Sequence, residues 1–261
     1  MAVLISGLPV GAYAQTAADT ARLAAASSYL ETGGLKIGMS LKDLGPATRA
    51  LNPLLKLTNT EKVTVWPPDR IDSGKAAPPN SPQSIQTLQL QTIQGARPTM
   101  IESVVATLAL YPNMPVVTRL NRVITYPDGA GSNYAQVIGA IRAKYGPATE
   151  TQVQADSVSL KILQISWHFD KNDKLLPPGA QVSYPACDWD QAINACKDRS
   201  ILMLNITATG TGILKSLQSD LVDGPLVVSA DLATDAYLQS IEDARTRQQT
   251  NDSKNRPMPK L

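Results

Sequence analysis

The sequence predicts an α+β fold, an antiparallel sheet with helices packed on one face and a small N-terminal subdomain. Three observations predict it. Two β-branched runs, Ile101 to Tyr111 and Val116 to Tyr126, flank the turn Pro112-Asn113-Met114-Pro115, which is the pattern of an antiparallel hairpin. Tyr134, Val137, Ile138, Ile141 and Tyr145 then recur at helical spacing after the N-cap candidate Ser132, and Gly146-Pro147 ends the stripe. Further strand-like runs follow at Val158 to Phe169 and Ser200 to Thr207.

Residues 1–14 read as a signal peptide. Ala2 to Val10 is a short apolar run, and Ala12 and Ala14 fit the small-residue positions of a cleavage site before Gln15. No Lys or Arg precedes the run, so a buried N-terminal strand or helix is the competing reading. Residues 15–66 are expected to form an N-terminal helix and a small αβ subdomain. Thr16 to Glu31 is Ala-rich, Gly33-Gly34 stops it, and Ser40 with Asp43 resembles a capping box. The helix this opens either stops at Gly45-Pro46 or restarts there and ends before Asn52-Pro53. A strand follows over Leu54 to Val65.

Residues 67–84 are a Pro-rich loop or linker. Pro67, Pro68, Pro78, Pro79 and Pro82 cannot build a ladder, so the segment is either a recognition arm or a tether between subdomains. The main α+β domain is expected over 85–249. It opens with a strand at Ile85 to Ile93 and closes with a short strand at Pro225 to Ser229. A helix then runs from Asp231 to about residue 249, with Leu232, Leu238, Ile241 and Ala244 inward. Residues 250–261 read as a disordered tail. No internal repeat is visible.

Composition excludes several classes. Net charge is +2 with the basic residues scattered, which argues against a nucleic-acid partner. No apolar run after residue 14 approaches the roughly 20 residues of a transmembrane helix, and no lipid-anchor cysteine stands at the cleavage site. Cys187 and Cys196 are the only cysteines, with eight residues between them. In an oxidising compartment they are expected to pair, which stabilises by about 2–3 kcal/mol in the chain-entropy model. Two thiols and one distant His do not make a metal site, and no cofactor fingerprint is present.

Catalytic signals are few, and no catalytic residue is assigned. His168 is the only histidine and shares a strand face with Ser166. Neighbours on one face point in parallel, so His168 is expected to be structural or solvent-facing. Asp188 and Asp190 flank Trp189, the arrangement a sugar-binding or glycan-hydrolysing site would use, and also that of an ordinary loop. Gly210-Thr211-Gly212 reads as a plain turn without a phosphate fingerprint. Arg122 sits among apolar neighbours, marking a sheet edge or an ion pair.

The segment Ile37-Gly38-Met39-Ser40-Leu41-Lys42-Asp43-Leu44 resembles the opening of small bacterial envelope domains, the BamE/SmpA-like outer-membrane assembly modules, in which a strand ends in Gly-Met-Ser/Thr before a short helix. Those proteins are typically lipoproteins. Lys144-Tyr145-Gly146-Pro147, Trp167-His168-Phe169-Asp170 and the cysteine pair resemble uncharacterised exported bacterial proteins. The resemblance implies an envelope setting and no activity.

The expectation is therefore a periplasmic or secreted, non-catalytic binding protein with a protein partner in the cell envelope. Its candidate contact residues are Trp66, Pro67, Pro68, Pro78, Pro79, Arg122, Asp188, Trp189 and Asp190. An envelope glycan hydrolase using carboxylates and a secreted inhibitor or immunity-type protein are the alternatives.

Overall fold

Eight antiparallel strands form one sheet in the computed structural model, which describes residues 30–67, 77–92, 100–127, 129–180 and 198–254. A two-stranded ribbon, β1 (Glu31–Thr32) and β2 (Leu35–Lys36), comes first. Helix α1 (Leu41–Leu51) leads into β3 (Leu55–Thr64), β4 (Gln83–Thr92), β5 (Ile101–Leu108) and β6 (Val117–Thr125). Helix α2 (Tyr134–Tyr145) leads into β7 (Glu150–Asp156), β8 (Leu160–Asp170), β9 (Arg199–Thr209) and β10 (Leu214–Asp223). Helix α3 (Gly224–Lys254) closes the chain. The strand order is β3-β4-β5-β6-β10-β9-β8-β7.

This order describes two copies of one unit, a helix followed by four strands, joined through their fourth strands. The details repeat with the topology. The N-caps Ser40 and Asn133 each form an isolated bridge to the residue just before the fourth strand, Val116 and Ile213. Leu41 N donates to Pro115 O at 3.1 Å, as Tyr134 N donates to Gly212 O at 2.9 Å. Val117 N donates to Met39 O, and Leu214 N to Ser132 O, both at 2.9 Å. The third and fourth strands slip register at one shared place, between Thr107 and Leu108 in the first unit and opposite Thr207 and Ala208 in the second. Asn52-Pro53 ends α1 and Gly146-Pro147 ends α2. Gly38-Met39-Ser40, which carries the envelope-domain resemblance, thus has a structural counterpart in Gly131-Ser132-Asn133.

Both α1 and α2 lie on the same face of the sheet. Leu44 of α1 and Ile138 and Ile141 of α2 join Leu88, Leu120, Leu163, Trp167, Leu204 and Leu221 in one core. Residues 30–37 fill the gap between the helices, with Leu30, Leu35 and Ile37 fully buried. Tyr145 Oη donates to Glu31 O at 2.8 Å, which ties the ribbon to α2. Covering roughly 25 cal/mol per Å² of apolar surface in this way is the main stabilising term.

Several expectations are corrected. Residues 55–64, assigned to a separate N-terminal subdomain, are the edge strand of the main sheet. The Pro-rich segment therefore joins two adjacent antiparallel strands and does not link domains; Val65 N donates to Pro82 O at 2.9 Å across its base. Helix α1 is continuous through Gly45-Pro46. Asn133, not Ser132, caps α2 and accepts from Ala135 N and Gln136 N. Strand β8 starts at Leu160, because Val158 is 97% exposed in the turn that joins it to β7. Both β7 and β10 were unforeseen. No strand lies at 225–229; α3 starts at Gly224, where Asp223 Oδ1 accepts Leu226 N at 2.9 Å. Its buried stripe runs through Leu226, Val227, Ala230 and Thr234 and continues half-buried at Leu238 and Ile241, whereas Leu232, off that stripe by its spacing, is 62% exposed. The helix continues to Lys254, into the stretch read as tail.

Candidate interaction face

Strand alternation gives the sheet a second face, turned away from α1 and α2. Its four central strands present Val105, Asn121, Val123, Ile201, Met203, Asn205, Gln218, Asp220 and Val222, all half-buried. Aliphatic side chains and uncharged amides alternate at the centre around Asp220, with Arg119 and Arg199 toward one end of the same face. Asp220 stands at the centre. Its carboxylate accepts from Asn121 Nδ2 on the neighbouring strand, and Gln218 Nε2 donates to its other oxygen at 2.8 Å. Burial pushes the Asp220 carboxyl above the usual Asp value, and the two amide donors partly offset this. Gln164 donates to the Met203 sulfur on the adjacent strand.

The face is broad. Eight strands at about 4.8 Å spacing span roughly 34 Å, and the central strands extend about 30 Å. That is about 1,000 Å² of projected area, against the roughly 800 Å² per partner of a standard protein–protein interface.

At one end of this face lies the Ser166–His168 pair. The two side chains do meet, with His168 Nε2 and Ser166 Oγ 3.0 Å apart, contrary to the parallel geometry expected from one strand face. Both are enclosed, His168 at 0% and Ser166 at 1% exposure. Burial lowers the His168 pKa below its usual value; Glu150 opposes this and Arg199 adds to it. Thr149 Oγ1 accepts His168 N at 3.1 Å. A nucleophile closed off in this way cannot meet a substrate, so the pair is structural in the described conformation.

Arg122 lies on the opposite, helix-covered face with Leu120 and Ile124. It is in an ion pair, one of the two roles expected of it. Its Nε donates to Glu102 Oε1 at 2.7 Å, and Asn52 Nδ2 donates to Glu102 Oε2 at 2.8 Å. Arg122 and His168 therefore do not converge. Trp66 is half-buried and Pro67 buried at the end of β3, while Pro78 and Pro79 are exposed near the start of β4. Pro68, Cys187, Asp188, Trp189, Asp190 and Cys196 lie outside the described residues, as do the signal peptide and the Ala-rich segment before Leu30.

Among the described residues, no helix is long and apolar enough to cross a membrane, and no three His, Cys, Asp or Glu side chains are grouped to hold a metal ion. The open face was not singled out from sequence, because membership depends on which strands pair. Its one sequence signal is the alternation of Ile201, Met203 and Asn205 with Leu202, Leu204 and Ile206. No family model, no curated protein and no solved structure matches the chain.

Proposed function

We propose that this chain is a non-catalytic binding protein of the bacterial envelope, exported to the periplasm or secreted, and that it meets a protein partner with the open face of its sheet. The observation that carries the reading is the composition of that face. Half-buried aliphatic side chains interleaved with amides, with ionised groups few at the centre, match the core of a protein interface. The Pro-rich segment connects β3 and β4, the strands at one edge of the sheet, and an arm there would extend the contact. The enclosure of Ser166 and His168 favours binding over hydrolysis. Export rests on Ala12-Tyr13-Ala14 and on the Gly38-Met39-Ser40 resemblance.

Two measurements test this. On protein expressed with a complete signal sequence and recovered from the periplasm, N-terminal sequencing should begin at Gln15; a mature chain starting at Met1 removes the export half. Val123→Arg and Met203→Arg should weaken capture of the envelope partner at least tenfold, or about 1.4 kcal/mol. Val158→Arg, in the β7–β8 turn, should leave it unchanged. Equal capture by all three variants contradicts the binding half.

A further inference from the structure

The two units differ at one place that bears on function. On the inner side of α2, Ile138 and Ile141 are buried in the core. Counting from the N-caps, Gly45 and Thr48 occupy the equivalent positions of α1. The smaller side chains leave a cleft of about 440 Å³ between α1 and the outer strands β3 and β4. Its apolar walls include Leu41, Leu44, Leu55, Leu88 and Leu90, and Leu57 stands 57% exposed on β3.

Helix α1 breaks two local rules at this wall. Gly in a helix interior costs about 1 kcal/mol relative to Ala, and Pro about 3 kcal/mol. Gly45 and Pro46 stand together in the second turn of α1. Apart from its chain neighbours, a Cβ placed on Gly45 meets only Arg49 Nη1, at 3.9 Å. Its φ is not in the left-handed region. A helical residue before proline is crowded by the proline ring, which a glycine relieves, and the glycine also leaves the cleft open.

The lining also has a sign. Arg49, one turn beyond Gly45 in α1, supplies a cation, and no carboxylate lines the cleft. An apolar trough of this volume, within the roughly 300–1,000 Å³ of small-molecule sites, with a cation on its wall fits an aliphatic chain ending in an anion. We propose that this cleft binds a single-chain aliphatic carboxylate, the chain against the leucines and the head group at Arg49. The site is on the helix-bearing side of the sheet and does not depend on the interaction face.

Calorimetric titration of the whole mature chain with octanoate, decanoate and dodecanoate, each kept below its micelle concentration, tests this. Affinity should rise about fourfold per added methylene, the value for burying one CH₂. Dodecanoate should bind at least tenfold tighter than dodecyltrimethylammonium. Gly45→Leu should fill the trough and weaken dodecanoate at least tenfold with the circular dichroism spectrum unchanged. Arg49→Gln should weaken dodecanoate several-fold and leave decanol binding unaltered. No saturable dodecanoate binding to the wild-type chain, or equal binding of the two head groups, overturns the proposal whether or not the variants fold. Undiminished binding by folded Gly45→Leu overturns it as well. Binding of an apolar peptide but not of dodecanoate would assign the cleft to a different occupant.

Discussion

Arg122 of β6 and Ser219 of β10 stand directly opposite one another, and each is the other's counterpart in the repeated unit. The pair marks the point where the two halves of the sheet meet. Thr32 sits over it, its hydroxyl 3.0 Å from Ser219 Oγ and 3.4 Å from Arg122 Nη1. The sequence-distant ribbon is thus tied to the centre of the sheet by two side chains at equivalent positions of the two units, one a cation and the other a small hydroxyl.

Arg122 needs its partner. Glu102 is 1% exposed and holds both Arg122 and Asn52. Glu102→Ala leaves a nearly buried guanidinium without its carboxylate, so urea unfolding should report a loss of about 3–5 kcal/mol. The double replacement Glu102→Leu with Arg122→Met removes both charges and should be less damaging than Glu102→Ala alone. A double variant as unstable as the sum of the single ones would contradict this.

Two glycines should respond in opposite directions to alanine. A Cβ on Gly131 would lie 1.7 Å from Leu214 O, where the α2 N-terminus closes on β10. Gly131→Ala therefore forces backbone apart and should destabilise by about 1–3 kcal/mol or more. Gly139 lies within α2, and a Cβ there meets nothing within 4 Å. Gly139→Ala should stabilise by about 0.4–1 kcal/mol through reduced unfolded-chain entropy. Thermal melts decide both; a stabilising Gly131→Ala would show that the close approach is misjudged.

His168 sets an acid-side limit on stability. The fold lowers its pKa below 6.5, so the native state holds the ring neutral while the unfolded chain takes up a proton near 6.5. This contribution is intact above the unfolded value and is lost as pH falls below it. Unfolding free energy of the wild type should therefore drop between pH 7 and pH 5 more steeply than that of His168→Gln. Parallel curves would show that His168 titrates alike in both states.

The cysteine pair carries a prediction from spacing alone. Mature protein isolated under oxidising conditions should show no free thiol before reduction and two after it. Reduction should cost about 2–3 kcal/mol. Two free thiols in the oxidised native protein would refute the pairing.

The β5–β6 hairpin and the α2 stripe were legible because apolar spacing alone specifies them. Strand β7, Glu-Thr-Gln-Val-Gln-Ala-Asp, was not, because an edge strand with one aliphatic side chain other than alanine has no buried alternation to display. Strand β10 hid for a different reason. Its covered face carries Leu217, Ser219 and Leu221, and the serine at the central position breaks the period of two. With β10 unseen, the start of α3 was displaced to Asp231. The repeat itself was invisible because its equivalences join unlike residues, Ser40 with Asn133 and Asn52 with Gly146. These caps do the same hydrogen bonding with different chemistry. The interaction face follows from strand order, which no local pattern encodes.

Site-specific photo-cross-linking tests the binding account most directly. A photoreactive side chain is placed at Met203 or Gln218 on the open face, at Leu54 beside α1, or at Val158 in the β7–β8 turn. Each form is expressed with its signal and irradiated in intact cells. Adducts of one defined mass at Met203 and Gln218, absent from Leu54 and Val158, are the predicted result. Adducts at Leu54 or Val158 without any at Met203 and Gln218 would contradict the assignment of the open face as the contact surface.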